Sequence, residues 1–297
     1  MLLKYLTRGS RKPRGKSIDF ADVPFVLCHP CQMVIDQPQR NLMPHIVVTN
    51  DDGIYAPGLR ALVGALKEIA TVTVVAPSHE RSASAQSLTL RQPIYCDQVA
   101  EREYSIEGTP ADAMILAFHT LLKEKPDLVI SGINRGGNLG ENIYYSGTVG
   151  AAMEAALNRT PAVAVSVAYR GTDFDFAPAA HFTVSLVPIL LREGLPNGVL
   201  LNVNVPQPWN GAVRVTRQSS KITRNVLQPG TDPRGRHYYW LHEQQFIEGI
   251  SPDTDHAAIR DGAVSVTPLV IDHTHAPSLH HLSHWAKALE ETSRVES

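Results

Sequence analysis

Residues 45–77 read HIVVTNDDGIYAPGLRALVGALKEIATVTVVAP. The β-branched run Ile46-Val47-Val48-Thr49 stops at a turn, Asn50-Asp51-Asp52-Gly53. Pro57 then suits the first turn of a helix, and Leu59, Leu62, Val63, Leu66 and Ile69 follow at helical spacing. Residues 72–76 form a second apolar run, closed by Pro77. Two strands this apolar, joined through a helix, predict a parallel sheet covered on both faces.

Downstream the alternation continues. Residues 104–107 read as a strand. Thr109-Pro110-Ala111-Asp112 reads as a helix start, with a hydroxyl cap, proline at the first position and an acid in the first turn; that helix is expected to run to about residue 122. Strands at 128–130, 162–167 and 199–205 alternate with helices at 148–157 and 182–191. After Pro206 the character changes. Residues 213–216 and 237–246 read as the two strands of a hairpin-like arm within 212–250. A short helix at 255–260, a strand at 263–267 and a terminal helix at 279–291 complete the chain. The prediction is an α/β fold: a Rossmann-like three-layer α/β/α sandwich with a mainly parallel sheet over residues 43–270, a C-terminal β-arm and a helical tail at 271–297.

Residues 1–42 read as a leader, a nucleic-acid-binding arm or a disordered extension, of which the disordered extension is the plainest. Lys4, Arg8, Arg11, Lys12, Arg14 and Lys16 all precede the first acid, Asp19, and Met43 is a second candidate start. The apolar patch at 23–27 holds Pro24 and is too short for the apolar region of a signal peptide; a cytoplasmic protein is expected. Cys28-His29-Pro30-Cys31 spells a C-x-x-C pair, but no strand and helix frame it as a redox motif, and incidental thiols are the plainer reading. A net charge of -2 gives no reason to expect nucleic acid as a specific partner, and no apolar run reaches the length of a membrane span.

In doubly wound sheets ligands sit beyond the carboxyl ends of the strands, where loops 50–58, 77–87, 131–140 and 145–150 are expected to converge. Asp51 and Asp52 repel each other if they face the same way, and a bound cation relieves that repulsion. Asn-Asp-Asp-Gly is equally a good turn, so metal seat and turn both stand on this tetrapeptide. A dinucleotide site would need G-x-G-x-x-G here; two negative charges instead favour a cation with a phosphate upon it. Residues 131–140 carry four glycines and two asparagines, which can turn N–H groups toward an anion. Ser146-Gly147-Thr148 opens a helix and is either a phosphate seat or an ordinary cap. Ser82 is either a hydroxyl ligand or a turn cap.

Several of these stretches together resemble the signatures of the SurE family, in the family's order. They are residues 47–54, Ala76-Pro77 with Glu80-Arg81-Ser82, Gly108 to Asp112, Ser131 to Gly136 with Asn138-Leu139-Gly140, and Tyr145 to Val149. The similarity spans residues 44–269. The resemblance implies one divalent cation, Mg²⁺ or Mn²⁺, held by Asp51, Asp52, Ser82 and Asn134. It implies hydrolysis of nucleoside 5′- and 3′-monophosphates and of short polyphosphate. It also implies a homodimer or homotetramer that exchanges C-terminal elements. On this reading Asp51 and Asp52 are catalytic, and Asn50, Gly53, Asn138, Ser146, Gly147 and Thr148 receive the phosphate and substrate. A haloacid-dehalogenase-type phosphatase would need its aspartates one residue apart. A non-catalytic nucleotide-binding module would bind without turnover. His273, His275, His280, His281 and His284 lack the H-E-x-x-H spacing and read as a solvated tail.

Overall fold

The computed structural model describes residues 43–169, 171–220, 223–245 and 250–295. The basic leader, with Cys28 and Cys31, lies outside the described residues, as does Phe246.

The strands and helices run β1 (His45–Thr49), α1 (Pro57–Leu66), β2 (Thr71–Pro77), β3 (Cys96–Ala100), β4 (Glu103–Ile106), α2 (Pro110–Leu116), β5 (Leu128–Arg135), α3 (Gly147–Leu157), β6 (Ala162–Ala168), α4 (Ala177–Glu193), β7 (Val199–Pro206), β8 (Val213–Val215), β9 (Thr223–Thr231), β10 (His237–Gln245), α5 (Asp255–Arg260), β11 (Val264–Val270) and α6 (Ala276–Val295). Nine strands form one sheet in the order β3-β4-β2-β1-β5-β6-β7-β11-β8. From β4 to β7 every pairing is parallel; β3 and β11 run antiparallel to their neighbours β4 and β7.

Successive side chains of β1 point to opposite faces, and both faces are covered. Ile46 and Val48 join Leu59, Leu62 and Leu66 of α1 with Val187 and Leu190 of α4. Val47 joins Met114 of α2 and Ala151, Ala152 and Ala155 of α3. The three layers expected from the apolar runs are therefore present. No described helix is long and apolar enough to cross a membrane.

Two strand assignments need correction. Residues 213–215 do not pair with 237–245: they lie at the sheet edge, parallel to β11. The partner of β10 is β9, in a separate two-stranded ribbon. Pro229-Gly230 inside β9 argues against a strand by composition. In a two-stranded ribbon, however, one side of each strand bonds to nothing, and a proline there removes no ladder bond. The ribbon turns at Asp232, whose carboxylate accepts from the Arg234 and Arg236 N–H groups at 2.9 Å each, with Gly235 at φ +81°. The edge strand β3 is exposed throughout and carries no apolar alternation to reveal it. The helix expected to reach residue 122 is α-helical only to Leu116 and continues as one wider turn, Ala117–Leu121.

Candidate active site

Strand order reverses at β1: β2 lies on one side and β5 on the other, so their following loops part and leave a crevice. Asn50 to Gly53 sits there, at the end of β1. Asn50 is fully buried, and its Nδ2 donates to the Gly53 carbonyl at 2.9 Å. The Ile54 N–H donates to the Pro77 carbonyl at 2.8 Å, fixing this turn to the end of β2. Gly53 has φ +101°, and a Cβ there would meet the His79 backbone at 3.3 Å, so the turn requires glycine.

The turn separates the two aspartates. Asp51 is 4% exposed and points to the N-terminus of α3, where Thr148 Oγ1 donates to its Oδ1. A Cβ on Gly147 would stand 2.8 Å from the Asp51 Cβ and 3.0 Å from its Oδ2, so glycine is what lets helix and carboxylate approach. Burial pushes the Asp51 carboxyl up, while the Thr148 hydroxyl and the N–H groups of Thr148 and Gly147 pull it down. Asp52 accepts from the Arg135 N–H at 3.4 Å. Burial first, then the neighbouring Asp51 charge, push the Asp52 carboxyl up to about 6. The pair resists joint ionisation, which is the electrostatic condition a cation relieves.

The other two expected ligands come from loops tied to this pair. The Arg81 N–H donates to the Asp51 carbonyl at 2.6 Å, and Ser82 is the next residue along the chain. Ser82 donates its hydrogen to Glu80 at 2.7 Å and keeps oxygen lone pairs. Asn134 precedes the residue that bonds Asp52. Its Nδ2 donates to the Gly136 carbonyl at 2.8 Å, and its Oδ1 is an acceptor oxygen not used in that bond. The donors are all hard oxygens, the set that suits Mg²⁺ or Mn²⁺. Asn50 Oδ1 adds a buried oxygen with no partner in the protein. Among the described residues no three His, Cys, Asp or Glu side chains gather to hold a metal ion, so a cation here would rely on hydroxyl and amide oxygens beside the two aspartates.

The expected phosphate contacts are engaged differently from the way composition suggests. Ser146 Oγ accepts from the Val149 N–H at 3.1 Å, the ordinary cap of α3, and Thr148 is committed to Asp51. Asn138 is buried and faces inward: its Nδ2 donates to Ser166 at 2.8 Å, its N–H to Asn204 at 2.8 Å, and its carbonyl accepts from Asn202 and Asn204. In the glycine-rich loop the N–H groups of Arg135, Gly136, Asn138 and Gly140 are bonded to Asp52, Val167, Asn204 and Asp255 respectively. This loop is an anchored wall, and those four N–H groups do not form an open anion nest.

Sequence reasoning passed over Ser84. Its hydroxyl is buried without a partner, between Ala83 at φ +56° and Ala85 at φ +50°. Each such left-handed alanine costs about 1–2 kcal/mol. Thr109 and Asp112, read as a helix cap, also hold this loop. Asp112 accepts from the Thr89 N–H at 3.0 Å and its hydroxyl at 2.6 Å, and Thr109 donates to the Ser87 carbonyl at 2.7 Å. Sequence alone could have flagged only the capping motif, because the gripped segment lies about 20 residues upstream. Volume does not mark the site: a cavity of about 480 Å³ lies toward the opposite sheet edge, lined by His45, Thr73 and Arg102 among others.

Residues 46–225 match the family model described as Survival protein SurE. The 5′-nucleotidase SurE of Geobacter metallireducens is 46% identical over 244 residues, which cover 81% of this chain and 96% of that relative. The 5′-nucleotidase SurE of Geobacter sulfurreducens is 45% identical over 245 residues, 81% of this chain and 93% of the relative. The crystal structure of SurE protein from Aquifex aeolicus is similar with a TM-score of 0.74 at 37% identity, covering 82% of this chain and 100% of that one.

Proposed function

The chain belongs to the SurE family, and on that premise we propose that it is a 5′-nucleotidase, a metal-dependent phosphomonoesterase that releases phosphate from nucleoside 5′-monophosphates. One observation carries the reading: two adjacent carboxylates, each pushed up by burial, stand at the point where the sheet order reverses.

Asp51, Asp52, Ser82 and Asn134 would hold one Mg²⁺ or Mn²⁺. Bound there, it supplies Lewis acidity to a phosphate oxygen and lowers the pKa of a water. The chain's own groups do the rest. Thr148 and the start of α3 fix the orientation of Asp51, so its carboxylate does not swing toward the incoming phosphate. Asp52 has only a long backbone contact from Arg135 and is the carboxylate with capacity to take a proton. Water oxygen attacks phosphorus, its proton passes to Asp52, and the bond from phosphorus to the ribose oxygen breaks on the far side. The departing alkoxide takes a proton from solvent. Asn50 and Gly53 shape the turn, Ser146, Gly147 and Thr148 set Asp51, and Asn138 anchors the wall beside it.

The same site would accept 3′-monophosphates and short polyphosphate, in the cytoplasm. We place the chain in a homodimer or homotetramer, which is supported by exposed apolar residues on the ribbon and the terminal helix: Tyr239, Trp240 and Leu241, and Leu279 and Trp285. Mass measurement in solution tests the assembly.

The test of the activity is phosphate release from a panel of nucleoside monophosphates with Mg²⁺, Mn²⁺ or EDTA, in parent, Asp51→Asn and Asp52→Asn. Turnover that needs metal and collapses in both variants is expected. Turnover that survives EDTA and both substitutions sinks the metal centre, and nucleotide binding without turnover would favour a non-catalytic module.

A further inference from the structure

If phosphate docks beside Asp51 and Asp52, it needs hydrogen-bond donors as well as a cation, because carboxylates only accept. Most nearby donors are already engaged. Thr148 Oγ1 donates to Asp51, Ser82 donates to Glu80, and four N–H groups of the glycine-rich loop bond within the protein. Ser84 differs. Its Oγ is buried and has no hydrogen-bond partner. A Cβ built on Gly147 would stand 2.5 Å from Ser84 Oγ and 3.0 Å from Asp51 Oδ2, so hydroxyl and carboxylate flank the same point at the start of α3.

The backbone holds the serine there at a cost. Ala83 and Ala85, on either side, both adopt left-handed conformations that alanine avoids. The Ala85 N–H donates to the Tyr145 carbonyl at 3.1 Å, and the Ser87 N–H to the Ser84 carbonyl at 3.0 Å. Ala85 O lies where a Cβ on Gly150 would be, at 2.3 Å, so a glycine in α3 is what admits the loop. Strained backbone around an unpaired polar group marks a place where a ligand completes the structure. Thr49 Oγ1 and Ser131 Oγ are also unpaired, but those residues are fully enclosed within the sheet; Ser84 is half-buried on the rim.

We propose that the Ser84 hydroxyl is a further substrate contact, donating its hydrogen to a phosphoryl oxygen of bound nucleotide and of product phosphate. The proposal rests on the phosphatase reading above. It gives Ser84 a signature that a structural serine would lack. Removing the hydroxyl removes an unsatisfied buried group from the free protein and a charge-assisted hydrogen bond from the complex.

The experiment is calorimetric titration of inorganic phosphate into the Mg²⁺-loaded parent and Ser84→Ala, with thermal melting of both in EDTA. Phosphate affinity about tenfold weaker in Ser84→Ala, with a metal-free melting temperature equal to or above the parent's, is the expected result. Unchanged phosphate affinity overturns the proposal while leaving the phosphatase reading intact. Weaker affinity with a lowered melting temperature also overturns it, because the serine then acts by holding its loop. A parent that binds no phosphate with Mg²⁺ sinks the underlying reading and this contact with it.

Discussion

Loop 80–89 and loop 131–140 flank the same aspartate pair, and both are rich in small residues with polar groups to offer a ligand. In the glycine-rich loop, Arg135, Gly136, Asn138 and Gly140 give their N–H groups to Asp52, Val167, Asn204 and Asp255. The loop is tied to β6, β7 and the first residue of α5, and it behaves as part of the core. Loop 80–89 is gripped by the Arg81 N–H on Asp51, by the Ala85 N–H on the Tyr145 carbonyl, and by Thr109 and Asp112 on Ser87 and Thr89. Between those grips it keeps an unpaired hydroxyl and two left-handed alanines. A loop's composition shows how many donors it has; only the fold shows which of them remain available to a ligand.

Substitutions on either side of that contrast should fail in different ways. The largest effect belongs to the pair itself. Asp52→Asn is expected to lower kcat at least a hundredfold, since loss of an outer-shell group alone costs 10–100-fold, while the metal-free protein melts no lower because a repelling charge is gone. A metal-free melting temperature well below the parent's would assign Asp52 to the fold instead. Thr148→Val removes the hydroxyl that orients Asp51, and should cost roughly 10–100-fold in activity or Mg²⁺ affinity. Kinetics at saturating Mg²⁺, beside a Mg²⁺ titration, separate the two.

A pH effect comes next. The Asp52 carboxyl is lifted from 3.8 to about 6 in the cation-free fold. Between those values the folded protein holds a proton that the unfolded chain has released. Ionising Asp52 as pH rises through 6 therefore costs stability, and a bound cation offsets that cost. Mg²⁺ must displace the proton below pH 6, so its apparent affinity should be roughly tenfold weaker at pH 5 than at pH 7.5. Melting curves with and without Mg²⁺ across that range check it: the Mg²⁺-induced rise should grow with pH, and a flat difference would remove Asp52 from the cation site.

The smallest expected change in chemistry comes from the wall. Asn204→Ala leaves the buried Asn138 N–H without its partner, while the carbonyl keeps its bond from Asn202, and should destabilise the protein by about 1–3 kcal/mol. Activity per folded molecule should move only a few-fold. Denaturant titration beside kcat/KM reads both. A large loss of kcat/KM without destabilisation would mean that the glycine-rich loop contacts substrate after all.

Much of this was legible before any tertiary contact was known. The apolar runs of β1, β2, β5, β6 and β7, each bounded by turn residues and separated by helical periodicity, specify strands buried on both faces; no other environment suits so many consecutive Val, Ile and Ala residues. The aspartate turn was visible because it directly follows such a strand, and sheet topology sends every such turn to one edge. Strand β3 and the ribbon strand β9 were not visible, because their pairing depends on a neighbouring backbone and not on side-chain alternation. The cap made by Ser146 was legible, because its partner Val149 is three residues on, but the roles of Thr148, Asn138 and Ser84 were hidden. Each is a short polar side chain whose hydrogen-bond partner, or lack of one, lies across the chain: Asp51 is 97 residues from Thr148, and Asn138 is 66 from Asn204. Local sequence thus determined which chemistry is present and at which sheet edge it collects. Only the tertiary structure decided which groups are already satisfied by the protein, because hydrogen bonding is short-ranged in space and indifferent to distance along the chain.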